Sequence, residues 1–174
     1  LESDNFDILL FAKRDIERAV IPPFIKKIGK YAFENCMNLK EVIFSANSEL
    51  ISLDTGAFSF TSIQKIIIPS RVKTIEGYCF YHSEKLKYFE YENCSQLETI
   101  DLSAFFFTLI SNMLIPRHVK KISSIFRSLK SGVIEIEENP ECKSITEEIT
   151  KSFPNETIMI PFKLKRKFQS AFLK

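Results

Sequence analysis

The chain of 174 residues carries 24 basic and 22 acidic side chains, a formal charge of +2, and is 45% hydrophobic and 26% charged. These proportions suit one globular domain and exclude a disordered chain. So small a charge also excludes nucleic acid and anionic membrane as default partners, because phosphate binding needs clustered Lys and Arg. Seventeen Phe with no Trp and only four Gly demand many equivalent buried slots for rings. The longest apolar run, 105–110, is far short of the ~18 residues of a membrane span. The chain opens on Leu1 without the basic and apolar regions of a signal peptide and is expected to be a fragment of a longer protein.

Residues 1–13 read as an N-terminal partial coil or cap, and 14–137 as regular repeats. The first strand is centred on Ala19 with Ile21 two residues on, followed by Pro22, an aliphatic anchor at Ile28 and a small-Phe pair, Ala32-Phe33. The same order returns as Val42, Phe44, Leu53, Ala57-Phe58, then as Ile66, Ile68-Pro69, Ile75, Cys79-Phe80, and again as Phe89, Tyr91, Ile100, Ala104-Phe105. Met113, Ile115-Pro116 and Ile122 open the fifth unit, Ile134 and Ile136 the sixth, Ile158 and Ile160-Pro161 the seventh. The Ile-Pro pairs step by 47, 47 and 45 residues, and the anchors by 25, 22, 25 and 22. Each 47-residue step therefore holds two shorter units. Short β-branched alternation of period two predicts half-buried strands, about one every 23 residues.

Such a strand with its return cannot bury its apolar side alone, but stacked parallel coils bury one another. Equivalent residues then form ladders: Ala32, Ala57, Cys79 and Ala104 leave room for Phe33, Phe58, Phe80, Phe105 and Phe126, each buried ring contributing about 1.5–3 kcal/mol. Proline follows the strand where a ladder hydrogen bond is no longer needed, so it starts the turn. Residues 138–162 form a degenerate last coil, crowded by Glu141 after Glu135, Glu137 and Glu138, with Asn139-Pro140 marking a longer turn. Residues 163–174 predict a capping helix, with Leu164, Phe168, Ala171 and Phe172 near one face and Lys163, Lys165, Arg166, Lys167 and Lys174 mostly elsewhere.

The string Ile21-Pro22, Ile25, Ile28-Gly29, Ala32-Phe33, Cys36, Leu39, Val42, Phe44 resembles the BspA-like leucine-rich repeat, and the match continues through Ile68-Pro69, Val72, Ile75, Cys79-Phe80, Ser83, Leu86, Phe89 and through Ile115-Pro116, Val119, Ile122, Phe126, Leu129. The resemblance implies an α/β solenoid: a right-handed coil with a concave parallel sheet of about seven short strands, and short helical or irregular returns. It also implies the setting, since such repeats occur in bacterial and parasitic-protist proteins that are often surface-displayed and adhesive. The chain departs from the pattern after the anchor, where Gly stands only at Gly29 and Asp54, Glu76, Asp101 and Ser123 follow the later anchors. The turn is therefore not glycine-dependent.

Chemistry-bearing motifs are scarce. There is no phosphate loop, no G-x-G-x-x-G and no G-x-S-x-G, and His82 and His118 both read as ordinary return and turn residues. Cys36, Cys79, Cys94 and Cys142 include no C-x-x-C pair and no histidine at metal-ligand spacing. They read first as free thiols acting as small apolar residues, with a disulfide or a reactive thiol as the alternatives, and with no metal and no cofactor. Asn93-Cys94-Ser95 and Asn155-Glu156-Thr157 would accept glycans in a secreted chain, and the basic group at 163–167 reads as a solvated helix face. The more useful signal is the residue between the two inward strand positions: Val20, Ile43, Ile67, Glu90, Leu114, Glu135 and Met159. Five of these seven are apolar although they must face outward, as at a protein-binding surface. β-propensity or cover from other segments would account for the same column. Arg18, Glu41, Lys65, Tyr88, Asn112 and Thr157 flank it as a polar rim with one aromatic anchor.

The expectation is a single, non-enzymatic repeat domain presenting Val20, Ile43, Lys65, Ile67, Tyr88, Glu90, Leu114 and Met159 to a protein partner, with no nucleic acid, no membrane insertion, and self-association left open. By resemblance the setting is adhesion at a cell surface or after secretion. An intracellular scaffold in a larger assembly is the main rival, and a hydrolase with its active residues elsewhere the third.

Overall fold

The computed structural model describes residues 7–123 and 133–138 and the strand at 157–159. In chain order its strands are β1 (Ile8–Leu9), β2 (Arg18–Ile21), β3 (Lys27–Ile28), β4 (Glu41–Phe44), β5 (Ser52–Leu53), β6 (Lys65–Ile68), β7 (Thr74–Ile75), β8 (Tyr88–Tyr91), β9 (Thr99–Asp101), β10 (Asn112–Ile115), β11 (Lys121–Ser123), β12 (Val133–Ile136) and β13 (Thr157–Met159). The pairs are parallel, and the chain forms a β-solenoid coil of about five turns.

One continuous sheet lies where the sequence placed only anchors. The short strands β1, β3, β5, β7, β9 and β11 join in that order, each carrying an anchor or its counterpart Leu9 inward. The carbonyls of Lys26, Ile51, Lys73 and Glu98 each accept two backbone N–H groups from the next coil, for example Glu98 N at 2.9 Å and Thr99 N at 3.0 Å on Lys73. That repeated double bond keeps the back of every coil in register. The longer strands form the front wall of the same core, but as three separate ladders, β2-β4, β6-β8 and β10-β12-β13. The expected single front sheet is thus corrected to three pieces.

Of the helical or irregular returns expected, the described residues show the irregular kind. The returns are successive tight turns, as in Cys36 N to Phe33 O at 3.1 Å and Leu39 N to Cys36 O at 2.9 Å. Among the described residues the one helix is the single 3-10 turn Leu102–Phe105, where Asp101 accepts from Ser103 N at 2.9 Å and Ser103 Oγ at 2.7 Å. Proline behaves as expected: Val72 N bonds Pro69 O and Val119 N bonds Pro116 O, both at 3.1 Å, so each proline starts a turn. The expected capping helix, Phe126, Cys142 and Asn155 lie outside the described residues.

Inside the coil the Phe ladder is real. Phe33, Phe58, Phe80 and Phe105 are fully buried and nearly parallel, with centroids 4.9, 5.6 and 5.8 Å apart. Ala32, Ala57, Cys79 and Ala104 beside them are buried too, their small size admitting the rings. Where the repeat has Cys36, later coils have Thr61, Ser83 and Thr108, whose hydroxyls donate to Phe58 O or Phe105 O at 2.8–3.1 Å. The few glycines are explained by the returns. Asn35, Phe60, His82 and Phe107 adopt φ of 52–59°, a left-handed backbone costing about 1–2 kcal/mol for a side-chain-bearing residue. The cost is offset by inter-coil bonds such as Phe60 N to Tyr81 O at 2.8 Å and by stacking of His82 on Phe60 and Phe107 at 5.1 and 4.2 Å.

Charged side chains are laddered on the outside. Glu98 takes Lys120 at 2.9 Å and Lys73 at 3.4 Å, one on each side, and the hydrogen bond from Lys120 leads in holding its carboxyl below the usual carboxylate range. Because the folded value is depressed, the contribution is present above the ordinary glutamate pKa and lost as pH falls through the lowered value. An NMR titration should find Glu98 below a free glutamate, and Lys120→Met should return most of the shift. An unchanged midpoint in that variant would rule out Lys120 as the cause.

Candidate protein-binding face

The outward column stands on the front strands because period two turns every second residue away from the core. Val20 is 57% exposed, Ile67 44% and Leu114 36%, while Ile43 is half-buried and Glu90 and Glu135 are exposed. Met159 falls on β13, beyond the side chains described. Tyr88 is 52% exposed and lies under the Lys87 ammonium at 5.2 Å. The rim is paired across coils, Arg18 to Glu41 and Lys65 to Glu90, both at 2.8 Å.

The column is not one stripe. Register places Val20 beside Ile43, Ile67 beside Glu90, and Leu114 beside Glu135, and the ladder is interrupted between these pairs. The cause is the second inward strand residue. It is a buried Ile at Ile21, Ile68, Ile115 and Ile136, and in each case the strand pairs with the next coil. It is a half-buried ring at Phe44 and Tyr91, and there the ladder stops. A ring is too long for the slot an Ile fills, so the following strand cannot approach to the roughly 4.8 Å that a ladder needs.

Each interruption is a groove. The first, about 550 Å³, lies between β4 and β6 and brings Ile43 and Ile67 together with Glu41 and Lys65. The second, about 700 Å³, lies between β8 and β10 and joins Glu90 and Leu114 to Tyr91, Glu92, Arg117 and Glu137. The structure therefore brings the predicted residues together in pairs across grooves that the sequence reading missed. The signal was present as the alternation of Ile with Phe44 and Tyr91.

Tyr91 carries a second feature. Its hydroxyl oxygen is buried without a hydrogen-bond partner, and burial pushes its pKa well above the tyrosine range. Burying an unsatisfied hydroxyl costs about 1–3 kcal/mol. Tyr91→Phe should accordingly raise stability by about 1 kcal/mol in urea unfolding; a loss of stability would mean that the hydroxyl has a partner.

Other candidates stay dispersed. His82 Nδ1 is 3.0 Å from Glu84 within its ring stack, and His118 sits exposed in the turn after Pro116. Among the described residues no group of His, Cys, Asp or Glu is placed to hold a metal, and no helix is long and apolar enough to cross a membrane. Cys36 and Cys79 are buried free thiols, and Cys94 is a free thiol exposed in a turn beside Asn93.

This architecture is similar to that of a crystallised pneumococcal vaccine antigen, PcpA, with 30% identity and a TM-score of 0.65 over 70% of this chain and 31% of that one. The chain spans about a third of that protein's length. A leucine-rich cell surface protein from Faecalibacterium prausnitzii A2-165 matches at 22% identity over 62% of this chain and 35% of that one, with a TM-score of 0.42. A leucine-rich repeat protein from Bacteroides ovatus matches at 17% over 86% and 52%, with a TM-score of 0.34. No curated protein matches. Six copies of the BspA-type leucine-rich repeat match residues 7–131, and with the Ile-Pro turns, the Phe ladder and the parallel coils in place, the chain belongs to the BspA-type leucine-rich repeat family.

Proposed function

We propose that this chain is a non-enzymatic recognition module that grips a protein partner on its front face, through Val20, Ile43, Lys65, Ile67, Tyr88, Glu90, Leu114 and Met159. The observation that carries the reading is the exposure of Val20, Ile67 and Leu114 on the front strands, beside ion pairs at β2 and β6 and an Asn112 that accepts Val133 N at β10. Aliphatics left in water at fixed spacing favour a macromolecular partner, and a rigid solenoid offers them at little ordering cost. The similarity to a pneumococcal vaccine antigen supports adhesion or host recognition at a cell surface or after secretion. The free thiols Cys36, Cys79 and Cys94 favour the second reading, a scaffold in a reducing compartment. The test is the double variant Ile67→Asp with Leu114→Asp, which should keep its fold and lose its partner.

A further inference from the structure

The two grooves differ in charge. The one between β4 and β6 sets Lys40 and Lys65 against Glu41 and Glu92. The one between β8 and β10 sets Glu90, Glu92, Glu137 and Glu138 against Arg117, with His118 beside them, in a chain whose overall charge is +2. No ladder bond joins β8 to β10. Leu109 N to Leu86 O at 2.8 Å ties the two coils together just before the strands diverge. The facing edges of Tyr88–Tyr91 and Asn112–Ile115 are therefore open, with Tyr91 among the groove's lining residues.

We propose that the groove between β8 and β10 takes up an extended, lysine- or arginine-bearing peptide segment of the partner. The inference rests on the reading of the front face as a protein-binding surface. Open strand edges supply the backbone hydrogen bonds of strand addition, which hold any extended peptide regardless of its side chains. Charge then selects the sequence: Glu90 and Glu92 already accept Lys65 at 2.8 Å and Ser70 N at 2.9 Å, but a carboxylate has about four acceptor sites and keeps room for a second cation. An acidic segment would meet repulsion from the same rim.

The test is fluorescence anisotropy on the whole chain with a labelled eight-residue peptide of alternating Lys and Thr, compared with a Glu and Thr twin and with a Lys and Thr peptide N-methylated at every second residue. The basic peptide should bind saturably and the acidic twin should not. Glu90→Gln with Glu92→Gln should weaken binding at least tenfold, N-methylation should do the same, and Glu41→Gln, at the other groove, should change nothing. Tyr91→Ile, which restores the aliphatic slot, should close the groove and abolish binding; Tyr91→Phe, which keeps the ring, should leave binding unchanged. Equal binding of both twins, indifference to the Glu90 and Glu92 change, or indifference to N-methylation would overturn the proposal. So would binding of calcium alone with no peptide binding, which would assign the carboxylates to a cation. If the peptide fails while the Ile67 and Leu114 variant still loses its partner, this inference falls and the front-face reading stands.

Discussion

Phe80→Ala is expected to destabilise the protein by about 3–5 kcal/mol, the usual range for removing a fully buried ring. Phe80 is the centre of the ladder, stacked on Phe58 at 5.6 Å and Phe105 at 5.8 Å, with the Phe89 ring edge-on at 5.7 Å. Its neighbours belong to other coils and are held by the back sheet, so they cannot collapse into the space. In a solenoid, stability is a sum of coil and nearest-neighbour terms, and a cavity here weakens the interfaces on both sides at once. Urea unfolding followed by circular dichroism measures the loss, and a second transition is expected as the two halves uncouple. Phe107→Ala, at an exposed return position with one stacked neighbour, should cost about 1 kcal/mol or less. A Phe80 loss as small as that control would mean that the ladder is not the core.

Ile67→Asp with Leu114→Asp is expected to weaken partner binding by at least a hundredfold while shifting stability by little. Both side chains point away from the core, at 44% and 36% exposure, so a carboxylate at either site stays hydrated in the free protein. In a complex it would be desolvated against an apolar surface without a partner, a cost of several kcal/mol. Ile67 has Glu90 and Leu114 has Glu135 beside it in register, so some like-charge repulsion is expected at each site, of about 0.5 kcal/mol apiece. Affinity measured by titration calorimetry, beside a melting curve, separates the effects: lost binding with a kept melting temperature supports the surface reading, and loss of folding would make the column part of the core. The same variant should leave the basic peptide's dependence on Glu90 and Glu92 intact, although Leu114 borders that groove.

Much of this fold was legible because a solenoid is local. Ile28, Leu53, Ile75, Ile100 and Ile122 recur at the spacing of one coil, and a residue that must be buried in every coil announces itself by repetition. The Phe ladder, the proline turns and the outward column followed from the same periodicity. Between helical and irregular returns the sequence did not choose, because left-handed Phe60, His82 and Phe107 carry no local signature; their conformation is stabilised by rings of adjacent coils. The scarcity of Gly was the outward sign of it.

By itself the sequence determined the coil length, the parallel stacking and the identity of the inward and outward residues, since each follows from a hydrophobic period that any stacked arrangement must satisfy. Whether neighbouring front strands actually pair depends on whether a side chain fits the slot left by its neighbours, and that is a matter of packing in three dimensions. Only the tertiary structure decided that Phe44 and Tyr91 part the ladders, that an aliphatic column becomes pairs facing two grooves, and that one groove gathers carboxylates from the coils of β8 and β12 around the Arg117 of the coil between them.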